Sequence, residues 1–145
     1  MKQRVIAHEF VELVPEELEE GKLYISIPYE TAVHLCACGC GIKVVTPISP
    51  PEWLLIWDGD TVSLTPSIGN WQFPCRSHYW ITRSRVVWAG ALSDARIAEG
   101  RRREAVQRDA YHAERQLQER ADPHTPHPRA HTSAWQRLRR ALRRH

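Results

Sequence analysis

The residues best suited to chemistry are four cysteines confined to two short stretches, Cys36-Ala-Cys38-Gly-Cys40-Gly and Cys75-Arg-Ser-His78. Zinc takes four Cys or His ligands in a tetrahedron, commonly two from a tight turn and two from elsewhere. In an extended strand Cys36, Cys38 and Cys40 would share one face, and Gly39 and Gly41 let the backbone bend so that two of them converge. Cys75 and His78 have ordinary zinc spacing and form the firmer half. Five candidates therefore compete for four places. Cys38 and Cys40 are favoured because each is followed by glycine, but the spacing leaves open which two of the three join. The implied cofactor is structural Zn2+. Two other readings compete: buried free thiols acting as small hydrophobes, and a redox pair, which the lack of a C-x-x-C motif disfavours. His34, two residues before Cys36, reads as a supporting partner of the site or as an ordinary satisfied histidine.

Catalysis has less support in the sequence. Five thiol or imidazole candidates point to a closed structural site, whereas a catalytic metal keeps one position open. The chain has no H-E-x-x-H, deaminase pair, Walker loop or nucleophile elbow. Cys75 and His78, three residues apart, are better placed to share an ion than to act as nucleophile and base. Asp58 and Asp60 are explained by a turn. The expectation is a protein that is not an enzyme, with no catalytic residue assigned and a zinc- or cysteine-dependent hydrolase as an alternative. Residues 67–74 carry two large aromatics and read as a packed loop or as a recognition surface in which Trp71 meets a partner.

The elements around these residues are short and β-like. Apolar or alternating runs at 3–13, 23–27, 32–36, 42–47, 53–57, 61–64, 79–82 and 85–88 predict strands. Asp58-Gly59-Asp60 and Arg83-Ser84 mark hairpins. Pro15 followed by Glu16, Glu17, Glu19 and Glu20 predicts one helical turn. The fold class is therefore mainly β, a small antiparallel zinc-stabilised sheet or sandwich, with a C-terminal helical extension. Ser93 is a plausible N-cap for a long helix rich in Ala, Glu, Gln and Arg. The expected organisation is a β domain at 1–90, a charged helix at 91–121, a Pro/His-rich linker at 122–132 and a short basic amphipathic helix at 133–145.

Charge follows the same division. Residues 1–100 hold 8 Lys/Arg against 12 Asp/Glu, and residues 101–145 hold 12 against 5. The first part is thus acidic and the tail strongly basic. A core of about 90 residues buries only about 60–65% of its unfolded surface, so a metal cross-link would help it fold. In the tail, Trp135 with Arg139 and Arg140 could meet a protein groove or nucleic acid. No run is long and apolar enough for a membrane span, and no signal segment is visible, so the expected location is cytoplasmic, where thiols stay reduced.

Several longer stretches carry a family resemblance. H-L-C-A-C-G-C-G at 34–41, S-P-P-E-W at 49–53, D-G-D-T-V-S-L-T-P-S-I-G-N-W at 58–71, F-P-C-R-S-H-Y-W at 73–80 and V-V-W-A at 86–89 resemble a small bacterial domain-of-unknown-function family. Its members stand beside genes for ubiquitin-like proteins and their activating, conjugating and JAB-type deconjugating enzymes. The resemblance covers residues 20–90 and implies an accessory or adaptor role in a ubiquitin-like conjugation pathway, one linked to antiphage defence. It implies a protein partner, namely a ubiquitin-like, activating or conjugating protein. The alternative reading is a nucleic-acid-binding protein using the basic tail.

Overall fold

The computed structural model describes residues 2–121. The expectations for Trp135, Arg139, Arg140, the Pro/His-rich linker and the last helix lie outside the described residues.

Eight strands form two four-stranded sheets. The first contains β1 (Ala7–Phe10), β2 (Lys22–Ser26), β3 (Thr31–Leu35) and β4 (Lys43–Pro47), in that order. The second contains β5 (Leu54–Trp57), β6 (Val62–Gly69), β7 (His78–Thr82) and β8 (Arg85–Trp88), also in order. All neighbours are antiparallel except β1 and β2, which run parallel. The inward faces share one core: Leu23, Ile25, Ala32 and Val44 from the first sheet, and Val62, Leu64, Tyr79 and Ile81 from the second. This is a sandwich built on alternation, as β4 shows with Val44 and Thr46 buried and Val45 exposed.

The N-terminal segment joins the sheets. Ile6 N–H donates to Ser84 C=O (3.0 Å) and Val86 N–H to Arg4 C=O (3.0 Å), before the same chain pairs with β2 as β1. The strand expected over 3–13 is therefore divided between two partners, and only its middle is a regular strand.

The helical turn expected after Pro15 does not form; residues 12–20 are bends and turns. One isolated turn fixes several dihedrals for a single hydrogen bond. Glu19 instead accepts from Lys22 Nζ at 2.8 Å, which anchors the start of β2.

The hairpins form as the turn chemistry requires. Asp58 Oδ1 accepts from the Asp60 and Thr61 N–H groups (3.0 and 2.6 Å), and these bonds, with that from the Thr61 hydroxyl, lower its pKa to about 2. Arg83 and Ser84 both take positive φ, as a two-residue hairpin demands.

Among the described residues a single helix, α1 (Asp94–Ala121), follows the sandwich. Ser93 caps it: its C=O accepts from Ile97 N–H (3.0 Å) and its Oγ lies 3.4 Å from Arg96 N. Ile97 is its one buried side chain. Ion pairs Arg76–Asp94 and Arg108–Glu52 (3.3 Å) link it to the loops before β7 and β5. No described helix is long and apolar enough to cross a membrane.

Candidate catalytic and metal site

The four cysteines converge. Cys36 follows β3 directly and opens a turn closed by Gly39 N–H donating to Cys36 C=O (3.0 Å), with Gly39 and Gly41 at φ 85° and 75°. That backbone is open to glycine and costly for other residues, and it folds Cys38 and Cys40 back towards Cys36. Cys75 arrives from the loop between β6 and β7. The sulfurs stand 3.4 Å apart for Cys36–Cys38, 3.9 Å for Cys36–Cys75 and 3.8 Å for Cys40–Cys75, and all four lie within 4.8 Å of one another. Tetrahedral zinc–thiolate bonds of about 2.3 Å place sulfurs about 3.8 Å apart, whereas a disulfide requires about 2.05 Å. The cysteines are free, and their clustering is one that could hold a metal ion.

Their acidities are uneven. Burial pushes Cys38 up to about 12. Burial also acts on Cys75 but is outweighed by hydrogen bonds from Ser77 and from the neighbouring thiols, which bring it to about 7. Four touching thiols cannot all ionise without a counter-charge, and a divalent cation supplies one. The cage has outer support as well. Ser77 Oγ lies 3.0 Å from Cys36 Sγ and accepts from Asn70 Nδ2 at 2.8 Å. One layer deeper, buried His34 meets Tyr79 Oη at 2.7 Å through Nε2, and burial lowers its pKa to about 4.

His78, counted among the five candidate ligands, is not in this cluster. The expectation that one of the three clustered cysteines is left over gives way to an arrangement in which all three meet Cys75. The reason is strand alternation. β7 begins at His78, so Ser77 and Tyr79 point into the core and His78 points to the opposite face.

On that outer face His78 Nε2 lies 2.9 Å from Ser67 Oγ. Two features of β6 put Ser67 there. Between the pairs Leu64↔Ile81 and Ile68↔Tyr79 the ladder shifts register, four steps on β6 facing two on β7. Pro66, which has no N–H to give the ladder, lies inside this irregularity. The even number of extra residues returns Ile68 to the core and leaves Ser67 facing outward. Gly69 pairs directly with His78, so Ser67, two residues earlier, is its diagonal neighbour.

The Trp71 indole packs on His78 with ring centroids 4.8 Å apart, and the Trp80 ring also lies against it at 5.4 Å. Trp71, expected as a partner contact in a loop, is a wall of this site. His78 Nδ1 is buried with no partner at hydrogen-bond geometry. Burial lowers the ring's pKa, and the Gly90 backbone opposes that only in part. The neutral imidazole is thus favoured. Ser67 and His78 open onto a cleft of about 400 Å³ whose far wall is α1, through Arg96, Gly100, Arg101 and Glu104.

Ser67 carried no signature in the sequence. Its pairing with His78 depends on the register shift, which local patterning does not reveal.

The model of a family described as bacterial ubiquitination-like system serine protease (BubE) matches residues 10–89, more than half of the 145-residue chain, and the chain belongs to that family. This supports the resemblance to proteins of bacterial ubiquitin-like systems and corrects the expectation of a non-enzyme: the family is one of serine proteases. Neither the curated proteins nor the solved structures contain a significant match.

Proposed function

We propose that this member of the BubE family is a serine protease whose nucleophile is Ser67 and whose general base is His78, with Cys36, Cys38, Cys40 and Cys75 holding a structural Zn2+. The observation that carries the reading is the 2.9 Å contact between Ser67 Oγ and His78 Nε2 in an open cleft. Nucleophile and base at hydrogen-bond distance are the minimal requirement for acyl transfer.

The chemistry runs as follows. The neutral imidazole accepts the Ser67 hydroxyl proton at Nε2 while Oγ adds to the substrate carbonyl carbon. The tetrahedral adduct collapses, the C–N bond breaks, and His78 returns the proton to the departing amine. A water molecule, deprotonated by His78, then adds to the Ser67 ester; the acyl C–Oγ bond breaks, His78 returns the proton to Ser67 Oγ, and the acid is released. The lowered His78 pKa favours the base form needed at the first step. Trp71 and Trp80 both pack against the ring, which limits its motion.

Zinc fits the four thiols by number, softness and spacing. With four cysteines to hold it, a bound metal would have its protein ligands complete and would supply a cross-link between the β3–β4 turn and the β6–β7 loop. That cross-link holds Ser77, the residue beside His78. The amide bonds such an enzyme meets in a ubiquitin-like system are those at the C-terminus of the ubiquitin-like protein, in a precursor or in a conjugate. The protein partner is then the substrate.

The experiment is cleavage of a ubiquitin-like precursor from the same operon by the full chain. Cleavage that is lost in both Ser67→Ala and His78→Ala supports the assignment; cleavage that persists in Ser67→Ala refutes it.

A further inference from the structure

The family match ends at residue 89 and α1 begins at Asp94, yet α1 supplies one whole side of the cleft. The residues facing Ser67 and His78 across it are Arg96, Ile97, Gly100, Arg101 and Glu104. They follow the helical period, so a single face of α1 is turned to the site. Three properties of that face concern substrate.

The first is charge. Arg102 and Arg103 pair with Glu99, and Arg108 pairs with Glu52. Arg96 and Arg101 make no ion pair among the described residues, although both line the cleft. Glu104, further along the same wall, leaves two positive charges against one negative, and the two arginines bracket Gly100. The second is width. A Cβ placed on Gly100 would meet nothing within 4 Å. Glycine in a helix interior costs about 1 kcal/mol relative to alanine, and here that cost keeps the middle of the wall open. The third is anchorage. Ile97 is buried, and the surface Arg76–Asp94 and Arg108–Glu52 pairs link this part of α1 to the loops before β7 and β5.

We infer that α1 is the substrate-reading wall of the cleft. Arg96 and Arg101 receive a carboxylate of the substrate chain close to the scissile bond, and Gly100 leaves the space in which that chain lies. The inference rests on the Ser67–His78 reading and adds the substrate's chemical class: a peptide chain bearing an acidic group, on either side, beside the bond to be cut. Guanidinium groups suit this role because they bind carboxylates through paired N–H donors. The carboxylate belongs either to an Asp or Glu side chain or to a free C-terminus close to the bond.

The test is a panel of internally quenched peptides carrying Glu, Gln or Lys at each position around the bond, with free or amidated C-termini, given to the full-length protein. At low salt, Glu-containing or free-acid peptides are expected to be cleaved about tenfold faster in kcat/KM than their neutral counterparts, with the difference shrinking as salt is added. Preference that survives amidation identifies a side-chain acid, and preference lost on amidation identifies a terminal one. Arg96→Glu/Arg101→Glu, with folding checked by its melting curve, is expected to turn the preference towards Lys. Gly100→Leu is expected to fill the cleft and reduce cleavage of every peptide. Ser67-dependent cleavage with no charge preference, or with one unchanged in the double variant, overturns the inference and leaves the dyad standing. Cleavage that is independent of Ser67 overturns both.

Discussion

Gly69 and Trp71 share one volume: a Cβ on Gly69 would stand 2.3 Å from the Trp71 indole nitrogen. The residue opposite His78 in the β6–β7 ladder must therefore be glycine for the indole to lie against the imidazole. Gly69→Ala should push the ring off His78, lower kcat/KM by at least about tenfold and cost about 1–3 kcal/mol of stability through overpacking. Peptide turnover and chemical denaturation check the two effects separately. An alanine variant with native turnover would show that the indole has no part in holding the base.

The metal cage makes a compositional prediction. The purified chain should carry one equivalent of zinc by elemental analysis, and Cys36→Ser should lose it. Cys36 is the most buried of the four thiols, so the variant also leaves a polar group in the core. Its destabilisation should exceed about 4 kcal/mol, the range associated with loss of a metal or disulfide. A wild-type chain that is folded and metal-free would contradict the assignment.

Much of the sandwich was legible in the sequence. Alternation at Val44/Thr46 and the turn residues at Asp58–Asp60 and Arg83–Ser84 mark strand starts within a residue or two of those observed, although β6 runs five residues beyond the expected 61–64, and Ser93 marks the helix start. The cysteine cluster was legible too, because all four cysteines fall in two stretches. His78 was not. Its C-x-x-H spacing associates it with Cys75, and only the facing of β7 turns it away. Ser67 was less visible still, since its position depends on a two-residue register shift around Pro66 and on the missing side chain at Gly69. The role of Arg96, Gly100 and Arg101 depends on where α1 docks, which neither helix propensity nor charge pattern encodes.

Turnover should depend on pH through His78. Burial lowers its pKa below the ordinary histidine value, and only the neutral ring accepts the Ser67 proton. Activity should therefore be near its plateau at neutral pH and fall as pH drops through that lowered pKa, the inflection in kcat/KM lying on the acid side of about 6.5. A rising limb centred well above neutrality would show that some other group limits the reaction.

The buried pair beneath the cage is open to a similar test. Tyr79 Oη and His34 Nε2 are 2.7 Å apart, and both residues are fully buried. Tyr79→Phe removes the hydroxyl and leaves the imidazole nitrogen without a partner, which should cost about 1–3 kcal/mol. Denaturant titration reads this directly, and an unchanged midpoint would show that the contact contributes nothing net.

The most direct measurement of the central claim is intact-mass analysis after treatment with a fluorophosphonate, which esterifies only an activated serine. The account predicts a single adduct, mapped by peptide digestion to Ser67 and absent from His78→Ala. An adduct at another serine, or equal labelling of Ser67 with and without His78, would contradict it.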